Sequence, residues 1–279
     1  MSLAPATVRL PAAALVARRS PSTGVIAGAI LLVLLGLAST APLVAPYAPD
    51  ALDLAHRRAA PSALHWFGTD DLGRDLLTRV LFGARVTLAV GLLSALVAAI
   101  VGVTVGAVSG YAGGWLEAVL MRLTDAMLSV PRLPLLMIAA AVLDPSVPGL
   151  ILLVGVAGWM ETARLVRAEV LSLKAREFVE AARAAGATTW RIALRHLLPG
   201  AVGSIAVSVT VAVGRGMLLE SALSFFGVGV QPPTPSWGNM LYQAQTTMSS
   251  QPWVALFPGM FIFVTALSLN LLGDALGER

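Results

Sequence analysis

Ionisable side chains are scarce in this sequence, so the place of each one carries information. Arg215 and Glu220 lie inside an apolar run from about Ala201 to Phe226. A charge at membrane depth is costly and faces a cavity or a partner, which makes both residues candidates for a polar pathway or gate. A structural or interfacial role is the competing reading. The two are five positions apart, whereas helical neighbours are about three or four apart, and Glu220 sits near an end of the run that water can reach. His56, His65 and His196 are scattered and form no ligand pattern, and cysteine is absent; no metal site and no disulfide framework are expected. The single lysine, Lys174, lacks the preceding glycines of a phosphate-binding loop, whose backbone N–H groups would cradle ATP. No histidine stands near a serine and an acid in a triad-like arrangement. The chain is expected to bind no cofactor and to be no enzyme by itself.

The densest polar stretch runs from Glu161 to Pro199, where Arg164, Arg167, Lys174, Arg176, Arg183, Arg191 and Arg195 put seven cations in 39 residues. Ala, Glu and Arg dominate from Arg176 to Ala185, which favours helix. Gly186 can take the left-handed C-cap conformation that other residues resist. Thr188 or Thr189 can cap a second short helix from Trp190 to Leu198, and Pro199 is expected to stop it. The result is helix–glycine–helix, with apolar Phe178, Ala181, Ala182 and Ala185 interleaved among charges. Such an exposed amphipathic pair suits docking of a soluble partner; an ordinary loop is the plainer alternative.

These residues hang on an apolar frame. Of 279 residues, 57% are hydrophobic and 12% charged, with a mean hydropathy of +0.82. A soluble domain is roughly a quarter charged, so this chain cannot cover a water-facing surface of its size, and its apolar runs of about 20 residues read as spans. Six follow: Val25–Ala45, Thr87–Ser109, Leu116–Leu143, Gly149 past Trp159 into a charged helix, Ala201–Phe226 and Trp253–Leu272. The expected fold class is all-α, a polytopic membrane protein of about six transmembrane helices. The first run competes with a signal peptide, since Ser39-Thr40-Ala41 resembles a cleavage site, but its length and long preceding segment favour an uncleaved helix. Gly91, Ala95, Gly102, Gly106 and Gly110 stripe one face of the second span, where small residues let a neighbouring helix approach closely. The third span holds Arg122, Asp125 and Arg132, with Pro131 and Pro134 in its middle; its first half is read as lying near the cytoplasmic interface.

The frame divides the chain into a cytoplasmic tail over 1–23, a first helix over 24–46, an external connection over 47–84, a core over 85–274 containing the 177–199 loop, and a tail over 275–279. The basic 161–199 region is assigned to the cytoplasm by the Lys/Arg bias of cytoplasmic loops. Residues 227–252 hold no Lys or Arg and are read as external. The 47–84 connection strains this scheme. It must be external yet, to its edge, carries Arg57, Arg58, Arg74, Arg79 and Arg85, which Asp50, Asp53, Asp70, Asp71 and Asp75 offset only in part. An amphipathic helix lying on the membrane surface is the alternative for part of it. From Phe67 to Arg85 the interleaved Asp and Arg are expected to form local ion pairs worth little individually. Gln231-Pro-Pro-Thr-Pro-Ser236 is stiff because proline fixes φ; it could hold a loop for an external partner, line a gate, or merely connect. The pI near 10.3 arises from arginines at the ends of apolar segments, which argues against nucleic acid.

Glu180-Ala181-Ala182, then Gly186, then His196, Leu197 and Leu198-Pro199 resembles the "EAA" loop of bacterial ABC importer permeases, in which isoleucine often stands where His196 does. Phe67-Gly-Thr-Asp70-Asp-Leu-Gly-Arg74-Asp75, continuing through Arg79 to Gly83-Ala-Arg85, resembles the second permease of the dipeptide/oligopeptide/nickel group, as do Glu220–Gly238 and Asn270–Asp274. The resemblance spans about 22–277 and implies a type I ABC importer permease fold in a prokaryotic inner membrane. It implies that Glu180, Ala181, Ala182, Arg183, Gly186, His196, Leu198 and Pro199 belong to a coupling loop, with Glu180 as the polar contact, Gly186 as the turn and Arg183 as a supporting ion pair. The implied partners are a homologous second permease, two cytoplasmic ATPase subunits holding ATP and Mg, an extracytoplasmic substrate-binding protein and membrane lipid, with no nucleic acid. The implied role is half of a pathway for di- or oligopeptides or a related solute. An ion-coupled secondary transporter is the alternative. It would use mid-membrane acids and paired broken helices; only Asp125 and Glu220 qualify, and no internal repeat is visible. A scaffold protein would need no pathway at all.

Overall fold

The computed structural model describes residues 21–143 and 146–277. Apart from an isolated β-bridge between Thr69 and Asp75, these residues form helices and connecting segments. In chain order the helices are α1 (Pro21–Val44), α2 (Leu76–Ala112), α3 (Gly114–Ser129), α4 (Arg132–Leu143), α5 (Val147–Val156), α6 (Trp159–Lys174), α7 (Glu177–Ala184), α8 (Thr189–Ile192), α9 (Leu198–Gly200), α10 (Val202–Phe225), α11 (Trp237–Ala244) and α12 (Trp253–Gly277). Helices α1, α2, α10 and α12 are each long and apolar enough to cross a membrane. The pairs α3–α4 and α5–α6, bent by 82° and 41°, raise the number to six if each pair is one span.

Several expected boundaries are corrected. The run Leu116–Leu143 is broken rather than continuous. Val130 is extended (φ −84°, ψ 127°), because the Pro131 ring disfavours α conformation in the residue before it. The second span starts at Leu76, not near Thr87, and is capped by Asp75, whose carboxylate accepts from the Thr78 N–H at 2.8 Å. Its 37 residues rise about 55 Å, well beyond the roughly 30 Å of a hydrocarbon core. The connection after α1 therefore ends at Asp75, and its only helical piece is a 3-10 turn, Leu54–His56, not a surface-lying amphipathic helix. The tail expected over 1–23 lies outside the described residues except for its end, where α1 has already begun at Pro21. Asp144 and Pro145 of the turn after α4 also lie outside them, as do Glu278 and Arg279. Residues 275–277 continue α12 rather than forming a tail.

Helix α2 is the central element, lying against α6, α10, α5 and α1. Its small-residue stripe is what allows this. A Cβ on Gly106 would stand 2.5 Å from the Ala163 carbonyl oxygen and 2.8 Å from Val166 Cβ of α6, so only glycine permits that backbone approach. One end of the bundle carries α7 to α9, where Lys174 Nζ donates to the Tyr111 carbonyl at 2.7 Å. The connector of residues 45–75 gathers with α11 and the start of α12 at the other end. There Phe67 stacks on Phe257 at 3.8 Å between ring centroids, and Arg74 Nη2 donates to Gln243 Oε1 at 2.9 Å.

The connector's arginines are tied down locally. Arg58 pairs with Asp71 at 3.0 Å, Arg74 with Asp70 at 2.6 Å, and Arg79 approaches the same Asp70 oxygen at 3.8 Å. Asp70, Arg74, Asp75 and Arg79 are all buried, Arg79 to 1% exposure. The expectation of weak individual pairs is thereby corrected for Asp70 with Arg74 and Arg79, where breaking a buried pair leaves an uncompensated charge. At the exposed edge, the His56 imidazole hydrogen-bonded to Asp53 holds that carboxyl below its ordinary range.

Candidate functional site

The helix–glycine–helix unit is present. Helix α7 ends at Ala184, Gly186 follows with φ +79°, and the Thr188 hydroxyl caps α8 by accepting from the Arg191 N–H at 3.4 Å. Pro199 does not stop the second helix. A π-helical turn over Ala193–Leu197 intervenes, and Pro199 falls in the first turn of α9, which leads on to α10. Proline is tolerated in a first helical turn, and the wider π turn relieves the clash of its ring with the carbonyl four residues back.

The unit has two faces. Val179, Ile192 and Leu197 are buried in one cluster with Val166 and Val170 of α6. Outside, Glu180, Ala181, Arg183, Gly186 and Pro199 are exposed, while Ala182, His196 and Leu198 are half-buried. Phe178 lies near His196, with ring centroids 6.4 Å apart. Around them Phe178, Trp190 and Leu194 stay exposed, Trp190 to 71%. The sequence reading picked Phe178 and the alanines but missed Trp190 and Leu194. Their signal was available, since they form an i,i+4 pair of large apolar residues on an otherwise basic segment.

A cavity of about 980 Å³ lies between the α3–α4 bend, α5, α6 and α10. Its wall is largely apolar, and among the described residues only Arg132, Glu161 and Arg215 bring charge to its lining. A smaller neighbouring cavity shares the same trio. Arg132 Nη2 lies 3.2 Å from Glu161 Oε1, and Arg215 pairs with Glu161 Oε2. Two guanidinium groups against one carboxylate leave an excess of one positive charge, in surroundings where screening is weaker than in bulk water. The break at Pro131 matters here, because it starts α4 at Arg132 beside this cavity.

Glu220 is elsewhere, and the expectation that water reaches it is corrected. Its side chain is 0% exposed and lines none of the cavities described. Ser224 Oγ donates to Glu220 Oε1 at 2.8 Å and accepts from the Val230 N–H at 2.9 Å. The same loop is fastened further by Asn239 Nδ2, which donates to the Val230 and Thr234 carbonyls at 3.1 and 2.7 Å. Trp237 Nε1 then reaches the Val80 carbonyl of α2 at 3.0 Å. Glu220 thus joins α10 to the segment that follows it. The three histidines are likewise not all scattered: His56 and His65 approach each other at 5.9 Å between ring centroids.

Residues 102–279 match the family described as binding-protein-dependent transport system inner membrane component. The chain is 40% identical over 255 residues to the glutathione transport system permease protein GsiD of Pectobacterium atrosepticum, covering 91% of this chain and 85% of that protein. It is 42% identical over 253 residues to the proteins of the same name from Escherichia coli O6:K15:H31 and Shigella boydii serotype 4, covering 90% of this chain and 84% of each. With the family matched over more than half of the chain, relatives alike along nearly all of it, and a helical bundle with up to six spans, the chain belongs to the binding-protein-dependent transport system inner membrane component family, as a non-catalytic permease subunit of the ABC importer type.

Proposed function

We propose that this chain forms half of the translocation pathway of an ATP-driven importer of short peptides, glutathione included, and is driven through α7 to α9 by a cytoplasmic ATPase. The observation that carries this reading is the outer face of α7 and α8. Phe178, Trp190 and Leu194 remain exposed, as do Glu180, Ala181 and Arg183, while Val179, Ile192 and Leu197 anchor the unit to α6. Exposed aromatic anchors ringed by polar groups are the usual centre of a protein–protein contact. Glu180 makes the polar contact, Gly186 shapes the pair, and Arg183 adds an ion pair.

Transmission follows from α6. It is 16 residues long, about 24 Å, with the α7 junction at one end and Glu161 of its first turn at the cavity at the other. Closure of the ATPases on ATP and Mg moves α7 and α8, and α6 carries that movement to Glu161. A homologous second permease completes the pathway, and an extracytoplasmic binding protein delivers solute to the end formed by the connector and the 227–236 loop. The seven cations between residues 161 and 199 support a cytoplasmic α7–α9 end.

Within the pathway Arg215 acts with Arg132 and Glu161, whereas Glu220 has a structural role. A wall that is mostly apolar, with one excess positive charge, suits a solute bearing carboxylates. Short peptides have these groups, and so does glutathione, the solute in the names of the relatives.

The test is to tag the full chain, solubilise membranes gently and identify co-purifying proteins by mass spectrometry, with Trp190→Glu beside wild type. An ATPase and a second permease should accompany the wild type, with the ATPase depleted at least tenfold from the variant. Recovery of no ATPase from wild type would overturn the proposal.

A further inference from the structure

The connector before α2 holds a cluster that the transport reading does not use. Asp53 caps the Leu54–His56 turn, its Oδ1 accepting from the Ala55 and His56 N–H groups at 3.2 and 3.3 Å. Its other oxygen, Oδ2, lies 2.7 Å from His56 Nδ1 and 3.9 Å from His65 Nε2. From these side chains we infer a binding site for a divalent transition-metal ion, zinc above all, made by Asp53, His56 and His65.

Their three donor atoms lie within 4.8 Å of one another. A tetrahedral zinc with bonds of about 2.0–2.1 Å separates its ligand atoms by about 3.3 Å. The two separations from Asp53 Oδ2, 2.7 and 3.9 Å, fall on either side of that value. Seating the ion therefore requires displacements on the order of 1 Å, with the cation replacing the proton now shared by Asp53 and His56.

His65 is already aimed. Its Nδ1 lies 3.0 Å from Asp75 Oδ2 with both side chains buried, which leaves Nε2 directed at Asp53. A carboxylate behind a ligating imidazole fixes its tautomer and raises its basicity. Asp75 is held in turn, since its other oxygen caps α2 through the Thr78 N–H at 2.8 Å. The Tyr47 ring covers His65 at 5.1 Å between centroids.

The nearby cations do not occupy the site. Arg57 donates to the Asp71 carbonyl at 2.7 Å, and Arg58 to the Asp71 carboxylate at 3.0 Å. The side chains of Asp53 and His56 are 43% and 50% exposed, which leaves a fourth coordination position to water. Two imidazole nitrogens and one carboxylate suit zinc and its neighbours, whereas magnesium and calcium take oxygen ligands. The bound ion would clamp the Leu54–His56 turn to His65 and, through Asp75, to the first turn of α2.

The full-length chain is purified in detergent within its complex, using a tag without histidine, and stripped with chelator. It is then titrated with Co²⁺, followed by Zn²⁺, beside His56→Ala and Asp53→Asn. Wild type should bind one equivalent more Co²⁺ than His56→Ala, with the visible absorption of a tetrahedral site that Zn²⁺ abolishes. Each variant should bind at least tenfold more weakly at that site, while the metal-free melting temperature of His56→Ala stays at the wild-type value. His196→Ala should bind as wild type does. Equal Co²⁺ stoichiometry and affinity in wild type and His56→Ala, or no tetrahedral spectrum in wild type, overturns the assignment.

Discussion

Gly186 separates two effects that most loop substitutions confound. Its φ of +79° lies where a Cβ crowds the backbone at about 1–2 kcal/mol, which lowers the population of the native turn by about 5- to 30-fold. A Cβ built there meets no atom of the described residues within 4 Å, so alanine and tryptophan carry the same backbone cost against them. In either variant α7 and α8 stay anchored by Val179, Ile192 and Leu197. Any difference between Gly186→Ala and Gly186→Trp therefore reports what lies outside the chain. Alanine should lower ATP-driven uptake only a few-fold, because ATPase binding can draw the turn back to its native shape. Tryptophan should reduce uptake to background, because its bulk enters the space of the docked partner. The assay is ATP-dependent uptake by proteoliposomes, normalised to inserted permease, with ATPase retention measured on the same preparations. Equal uptake by the two variants would refute the reasoning. If both are active, nothing docks over the turn; if both are inactive, backbone conformation alone explains the loss.

Arg215→Met and Arg132→Met should each lower uptake of a carboxylate-bearing peptide by roughly 10- to 100-fold, the value of a charge-assisted hydrogen bond. A peptide with its carboxylates blocked should be little affected, and unchanged uptake of the free peptide by Arg215→Met would remove the residue from the pathway. Asp70→Asn leaves the buried Arg74 and Arg79 without their carboxylate, and Arg79 Nη2 already has no hydrogen-bond partner. A loss of about 3–5 kcal/mol is expected, read as a lower melting temperature and less inserted protein; wild-type values for both would count against the buried network. Glu220→Ala should destabilise by about 1–3 kcal/mol through the orphaned Ser221 and Ser224 hydroxyls that donate to its carboxylate, and leave uptake per inserted molecule intact. Glu220→Gln inserting normally but failing to transport would restore its pathway role. Gly106→Leu drives a side chain into the Ala163 carbonyl, an overpacking cost of about 1–3 kcal/mol that should appear as reduced insertion.

Composition and patterning alone determine that this chain lives in lipid and crosses it with helical spans, because a long apolar run in lipid must satisfy its backbone hydrogen bonds within itself. The small-residue stripe was legible for the same reason. So was the helix–glycine–helix unit, since the left-handed turn at Gly186 and the cap at Thr188 are local properties of the backbone. Other features rest on contacts between residues far apart in sequence, and only the tertiary structure decided them. Asp70, Arg74, Asp75 and Arg79 looked like members of surface pairs until folding buried them. Trp190 and Leu194 became an outer face only once Ile192 and Leu197 had turned inward onto α6. Arg215 and Glu220 were two charges on one apolar run, told apart in the sequence only by Glu220 lying nearer its end. The bend at Pro131 placed Arg132 beside Glu161, which gave Arg215 a cavity and a partner. Glu220, on another side of the same helix, was enclosed by serines and a loop. Spacing along a chain reports which residues share an element; which of them share a site depends on how the elements cross.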